Sequence, residues 1–498
     1  MAAIITEKFR QHNADQFFES FSEASASTYY LFVGKATAFT SGTTGGSDSS
    51  PPTPTDGPAD TEFYAWDSML AAKNVTSSDI TYAIPRRNWS NGTTYDQYDD
   101  NISSSNTTTS GASNLYDSSF YFMTSDYRVY KVLDNNDGSA YSGAEPTSTS
   151  TSPFALGGYV LKYMYAITTS EAAKFLTSDF IPVSNDSTVS AAAVDGKIES
   201  IKVTAGSGYT NGTYYAAVYG DGTSAGTSSG AIIRITVASN QIQSFGLTAG
   251  TDTTIHAGGA GYTFGTVNLG AGFTFSDSGL SSASNMGGSG GAIEVVISPK
   301  NGHGNDAIGE LGGHYVMSAT TLTQAENDDI TTSNDFRQVG LVVDPTNYGT
   351  STVATASTRR QTFVVKAASS SGTFEVDEKI TQASTGAVGK VVEWDSTLSL
   401  LYFQQERFGD FGTNSTTGDH SVFTGANLIT GGTSSATLTP STDSETITLA
   451  NNNTLSTTSG YANPELQPDS GNIIYLENRK PIQRDSDQTE DIKLIIEF

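Results

Sequence analysis

Apolar residues in this chain mostly alternate with polar ones or stand in short buried runs. Residues 6–22 are the main exception: Phe9, Phe17 and Phe21 fall near one face at helical spacing, with Glu7 in the first turn, and predict an α-helix. Thr28 to Val33 reads as a buried strand ended by Gly34. Residues 62–72, with Phe63, Trp66, Met69 and Leu70, predict a second short helix. Between them, residues 41–60 form a Ser, Gly and Pro loop, and residues 90–118 a long exposed loop rich in Asn, Ser and Thr. Phe120 to Leu133 alternates as a strand pair and closes at the turn signal Asn135-Asn-Asp-Gly138. Tyr159 to Tyr165 is a buried strand leading into Ile181-Pro-Val183. At the far end, Ile473 to Leu476 is a strand, followed by a polar elbow stopped at Pro481, an acidic loop, and a last strand from Ile492 to Phe498.

The middle of the chain repeats itself. Lys197-Ile-Glu-Ser-Ile-Lys-Val-Thr-Ala-Gly206 returns as Gln241-Ile-Gln-Ser-Phe-Gly-Leu-Thr-Ala-Gly250. Gly206-Ser-Gly-Tyr-Thr210 returns as Gly259-Ala-Gly-Tyr-Thr263, and Gly230-Ala-Ile-Ile-Arg-Ile-Thr-Val237 as Gly291-Ala-Ile-Glu-Val-Val-Ile-Ser298. One unit of this length cannot bury its own apolar face, so the two are expected to pack together, with a Tyr after each Gly-x-Gly plugging one end. Residues 350–460 predict another small β domain, a barrel or sandwich. There, Phe374-Glu-Val-Asp-Glu-Lys-Ile380 returns weakly as Phe423-Thr-Gly-Ala-Asn-Leu-Ile429.

Composition agrees with a β-rich chain. Hydrophobic residues are 36%, below the globular average, and glycine numbers 50, while 10% aromatics argue against disorder. The net charge of −27 opposes nucleic-acid binding and adhesion to anionic membrane, because both require a basic surface. Cysteine is absent, which excludes disulfides and Cys-ligated zinc. No stretch approaches a membrane span, and the N-terminus carries no secretory pattern.

Several stretches resemble one family. They are Ile5-Thr-Glu-Lys-Phe-Arg10, Tyr30-Leu-Phe-Val-Gly-Lys35, Pro51-Pro-Thr-Pro-Thr-Asp56, Ala83-Ile-Pro-Arg-Arg-Asn-Trp89, Tyr159 to Tyr165 and the tail Glu477-Asn-Arg-Lys-Pro-Ile482. In kind and order they are similar to the baseplate wedge subunit of T-even-type contractile-tailed phages, the peripheral dimeric wedge protein. The resemblance implies a late structural protein of the bacteriophage virion, assembled in the host cytoplasm and placed in the tail baseplate. It implies no enzymatic activity and no cofactor. Its expected partners are other wedge proteins and a second copy of itself, with no nucleic acid and no membrane insertion. Its role would be to join the wedge and transmit the rearrangement that triggers sheath contraction. The rival readings are a receptor- or glycan-binding tail module and a virion-associated cell-wall hydrolase.

The fold class expected is mainly β with a small α+β core. The core is discontinuous, from residues 1–195 and 462–498. Inserted in it are a glycine-rich β-repeat module at 196–345 and a small barrel or sandwich at 346–461. The residues singled out are Arg86, Arg87, Trp89, Arg479, Lys480 and Arg484, notable in a chain with only 25 basic residues. Arginine forks bind carboxylates in pairs, so each is a candidate either for a partner interface or for internal pairing with the acidic loop Asp485 to Asp491. The stretch Lys300-Asn-Gly-His-Gly-Asn-Asp306, with Glu310 and His314, offers acid–base or metal chemistry, but its spacing matches no closed ligand set and it reads as a glycine-rich crossover. Asp134, Asn136 and Asp137 resemble half a calcium loop without its closing Glu and read as a turn. No catalytic, cofactor-binding or metal residue is assigned.

Overall fold

The structure is a computed structural model describing residues 4–23, 25–39, 45–55, 60–227, 229–274, 280–405, 420–450 and 452–498. Parts of the expected loop at 41–60 lie outside these residues. The fold is mainly β, as the alternation predicts. The chain divides into two compact units: Met1–Gln16 with Thr81–Met317 and Ile495–Phe498, and Phe17–Ile80 with Ser318–Leu494.

In the first unit the repeats build one seven-stranded sheet. Its order is Gln241–Ile242, Ile232–Ala238, Gly212–Gly220, Gly265–Val267, Gly287–Val296, Ser200–Tyr209, and Thr254–Ala257 also pairs with Ile232–Ala238. Ile198, Ile201, Val218, Ile233, Ile235 and Ile293 fill its core. The two repeated tyrosines are buried and do the same work at equivalent places. The Tyr209 hydroxyl accepts the Gly291 N–H at 2.8 Å, and the Tyr262 hydroxyl accepts the Ala231 N–H at 2.9 Å. Each ring requires a glycine beside it: a Cβ at Gly288 would sit 2.2 Å from the Tyr209 ring, and one at Gly222 2.3 Å from the Tyr262 ring.

A second sheet in this unit runs Tyr121–Met123, Arg128–Asp134, Tyr159–Ala166, Phe154–Leu156. Its central strands place Lys131 opposite Lys162 and Tyr130 opposite Tyr163. The turn within the predicted pair Phe120–Leu133 is at Thr124–Tyr127, where Tyr127 has φ 63°. The stretch 90–118 is irregular as predicted but not simply exposed. Tyr95, Asp96, Tyr98 and Asp99 are buried, because Asp96 accepts the Ser110 and Ser119 N–H groups and removes the cost of burying that backbone.

In the second unit a five-stranded sheet has the order Thr358–Arg360, Met69–Val75, Tyr29–Gly34, Phe336–Val343, Asn472–Ile482. Tyr30, Phe32, Trp66, Met69 and Val342 pack on it. The helix expected over 62–72 is Asp60–Ser68, and Met69–Val75 is a strand. Met69-Leu-Ala-Ala72 has good helix formers, but pairing with Tyr29–Gly34 overrides that weak preference. Pro481 does not end the tail strand either. Asn472–Ile482 runs through it, and the register shift between Phe336 and Gln338 absorbs the missing N–H.

Residues 363–440 close into a barrel. Phe363–Ser371 pairs both with Leu400–Gln404 and with Thr437–Pro440, so the ring runs on through Ala387–Asp395, Lys379–Gln382 and Ile429–Gly431. Val365, Ile380, Val391, Leu401, Phe403, Ile429 and Leu438 fill it. Glu378 ties one of its loops, accepting the Glu375, Thr433 and Ser434 N–H groups and the Ser434 hydroxyl at 2.6–3.0 Å. Burial pushes its carboxyl pKa up, but these bonds together outweigh that and hold it below the usual value.

Candidate functional site

Strand Ile80–Pro85 pairs with Phe180–Val183, and Pro85 hands the extended chain to the Arg-Arg-Asn-Trp element. Arg86 donates from Nε to Asn88 Oδ1 at 2.9 Å and from Nη1 to the Thr177 carbonyl at 2.6 Å. Arg87 donates from Nη2 to the Tyr116 carbonyl at 3.0 Å, and its guanidinium carbon lies 4.9 Å from the centre of the Tyr121 ring. Burial pushes the Tyr121 phenol far up, with Arg87 opposing it. Trp89 packs edge-on against Tyr141, with centroids 5.8 Å apart. Three N–H donors of this element, Arg87 Nε, Arg87 Nη1 and Trp89 Nε1, are buried and have no hydrogen-bond acceptor among the described residues.

The tail arginines stand in the other unit and differ among themselves. Arg479 is half-exposed and reaches Glu477 at 3.7 Å; Lys480 is exposed. Arg484 is buried at its side chain and fully used. Nε donates to both Glu490 oxygens at 2.9 and 3.0 Å, Nη1 to the Thr331 carbonyl at 2.7 Å, and Nη2 to the Gln324 carbonyl at 2.6 Å. Glu490, expected in the acidic loop Asp485 to Asp491, stands near the start of the last strand, Thr489–Glu497.

His303 and His314, close in sequence, face different partners. His303 is buried. Lys131 Nζ donates to its Nδ1 at 3.0 Å and to Glu310 Oε2 at 2.9 Å, and stands 3.7 Å over the Tyr98 ring. Gly304 N–H donates to the other Glu310 oxygen at 2.6 Å. Burial, reinforced by Lys131, holds the His303 pKa well below its usual value, so the ring is neutral and accepts through Nδ1. Burial likewise lowers Lys131, opposed by Glu310. This polar knot, with His303 Nε2 left without an acceptor among the described residues, fastens the 300–314 crossover to strand Arg128–Asp134. His314 instead hydrogen-bonds Glu7. Local spacing does not point to Lys131 and Tyr98 as partners, because both lie far from His303 along the chain. The one available signal was a lysine inside an otherwise apolar strand.

Asp134 accepts the Asn136 N–H at 2.9 Å, and Asn136 and Asp137 adopt positive φ, which makes a turn. Burial pushes the Asp134 pKa up to about 7. Among the described residues no group of three or more His, Asp or Glu side chains is arranged to hold a metal ion. No helix among them is long and apolar enough to cross a membrane.

No curated protein matches the chain. The family profile described as bacteriophage T4, Gp8 matches residues 3–152 and 442–498, the two ends that carry the arginine motifs. That family is structural, is not known for enzymatic activity, and interacts with other baseplate proteins. Over these two ends the chain is similar to the Phage-Gp8 family, baseplate wedge proteins of T-even-type phages, which are structural proteins of the virion tail baseplate.

Proposed function

We propose that the chain joins other wedge proteins through the Arg86-Arg-Asn-Trp89 element, forms a homodimer, and transmits the rearrangement that triggers sheath contraction. It does so without catalysis. The observation that carries the joining role is the set of orphaned donors on Arg87 and Trp89. A buried guanidinium N–H without an acceptor is costly, and a partner that displaces the groups covering it and supplies an acceptor removes that cost. Arg484 has the opposite role, internal pairing. Arg479 and Lys480 remain candidates for partner contact.

We further propose that residues 196–345 and 346–461 are insertions in a wedge core made from 1–195 and 462–498, except that strand Phe336–Val343, paired with Tyr29–Gly34 and Asn472–Ile482, belongs to the core sheet. In support, the family match leaves 153–441 uncovered.

The test is assembly with purified wedge partners. Arg87→Ala should melt as the parent does within about 1 kcal/mol, the worth of its single bond to Tyr116, yet enter wedges poorly. Normal incorporation overturns the joining role. Sedimentation tests the dimer: twice the 52.3 kDa chain mass supports it, and a strict monomer at micromolar concentration removes it.

A further inference from the structure

Between strands Tyr315–Thr323 and Phe336–Val343 the chain makes a turn of unusual backbone. Gln324, Glu326, Asn327 and Asp328 all have φ between 44° and 65°, a left-handed conformation that costs non-glycine residues energy. Three consecutive residues hold it. The turn persists because side chains from elsewhere in the unit clamp it. Lys73 Nζ donates to Glu326 Oε1 at 2.5 Å and to the Thr321 carbonyl at 2.6 Å. The Thr358 hydroxyl donates to Asp329 Oδ2 at 2.5 Å, and Asn327 donates to the same hydroxyl at 3.2 Å. Arg484 spans the turn's two ends through the Gln324 and Thr331 carbonyls. Asn453 donates to the Asn327 carbonyl.

Carboxylates crowd this strained turn. Asp328 lies in the field of Glu393, on strand Ala387–Asp395, with Asp395 beside it. Asp329 faces Glu465, with Arg359 and Arg360 as the neighbouring cations. Lys73, Glu326, Arg484, Glu490 and Tyr402 complete the charged and titratable groups around it.

We propose that the turn at residues 323–331 is a pH-sensitive latch, closed at acidic pH and opening toward alkaline pH. Burial, then the charge of Glu465, raises the Asp329 pKa to about 6. Burial, then Asp395 and Asp328, raises that of Glu393 to about 7. Both groups bind protons more tightly in the closed turn than in an open one. Their contribution is therefore present below the ordinary carboxylate pKa and is lost as pH rises through about 6 and 7. Above pH 7 the turn keeps its backbone strain and adds carboxylate repulsion. In the particle such a latch would be the bistable element of the transmitted rearrangement, and that use rests on the proposed function. The opening itself is a property of the isolated chain, so it can fail or hold independently of that role.

Hydrogen–deuterium exchange of the 323–331 peptide in the full chain, corrected for the intrinsic rate, tests it. Opening should be about tenfold to a hundredfold more frequent at pH 8 than at pH 5. The Asp329→Asn, Glu393→Gln chain, which fixes both groups uncharged, should lose that dependence. Glu393→Gln alone should reduce it, and serves if the double variant does not fold. Equal opening at the two pH values in the parent chain, or undiminished dependence in the variants, overturns the latch.

Discussion

Arg484 and Arg87 lie in the two stretches that the family profile matches, yet one is saturated and the other is not. Arg484 spends its donors on one carboxylate and on backbone carbonyls. Arg87 makes one described hydrogen bond and lies over a ring, with two buried nitrogens lacking acceptors. The difference teaches how to separate fold from assembly in a protein without chemistry to follow. A charge whose every donor is met inside one unit is part of that unit's stability. A charge left short is where an outside acceptor gains most.

The comparison can be broken at several levels. Arg484→Ala strands the buried Glu490 and frees the ends of the 323–331 turn, so the isolated chain should lose about 3–5 kcal/mol in urea unfolding. A loss under 1 kcal/mol would mean that the saturation is cosmetic. A pH series places a different charge beside it: the Asp134 pKa, raised to about 7 by burial, makes the first unit bind a proton on folding. The Asp134 contribution should be fully present near pH 4 and be lost as pH rises to 7, by roughly a few kcal/mol, against the opposite slope set by His303. Asp134→Asn should flatten that fall, and an unchanged slope would remove Asp134 as its source. Tyr262→Phe leaves the Ala231 N–H without its acceptor and should cost about 1–3 kcal/mol; Tyr209→Phe should match it at Gly291. Unequal losses would show that the repeats are alike in sequence only. The smallest effect belongs to Arg479→Ala, whose exposed contact with Glu477 should be worth less than about 1 kcal/mol in melting experiments.

Much of this was readable from the sequence, because much of it is local. The first helix, the buried run Tyr29–Gly34, the strand Tyr159–Ala166 and both β-rich middle segments follow from period and turn residues. What was not readable depends on distant pairing. Met69 and Leu70 looked helical until strand Tyr29–Gly34 claimed them. Pro481 looked like a stop because the bulge in its own strand, set by pairing with Phe336–Val343, leaves no local mark. The loop around Tyr95 and Tyr98 looked solvated because its backbone is satisfied by Asp96, not by a regular ladder. For the site, sequence could single out the arginines as rare cations in motifs, but only packing distinguishes Arg484 from Arg87. The knot of Lys131, His303 and Glu310 joins positions from opposite sides of the repeat module, and spacing between neighbours along the chain cannot register it.

The most direct test of the account is a cryo-electron microscopy map of the purified virion in which this chain is traced in the baseplate. The account predicts that Pro85–Ser90 abuts another polypeptide, with an oxygen of that chain about 3 Å from Arg87 Nε or Nη1, while Arg484 keeps Glu490. A map in which the Arg-Arg-Asn-Trp element faces solvent, with Arg87 meeting no other chain, would contradict it.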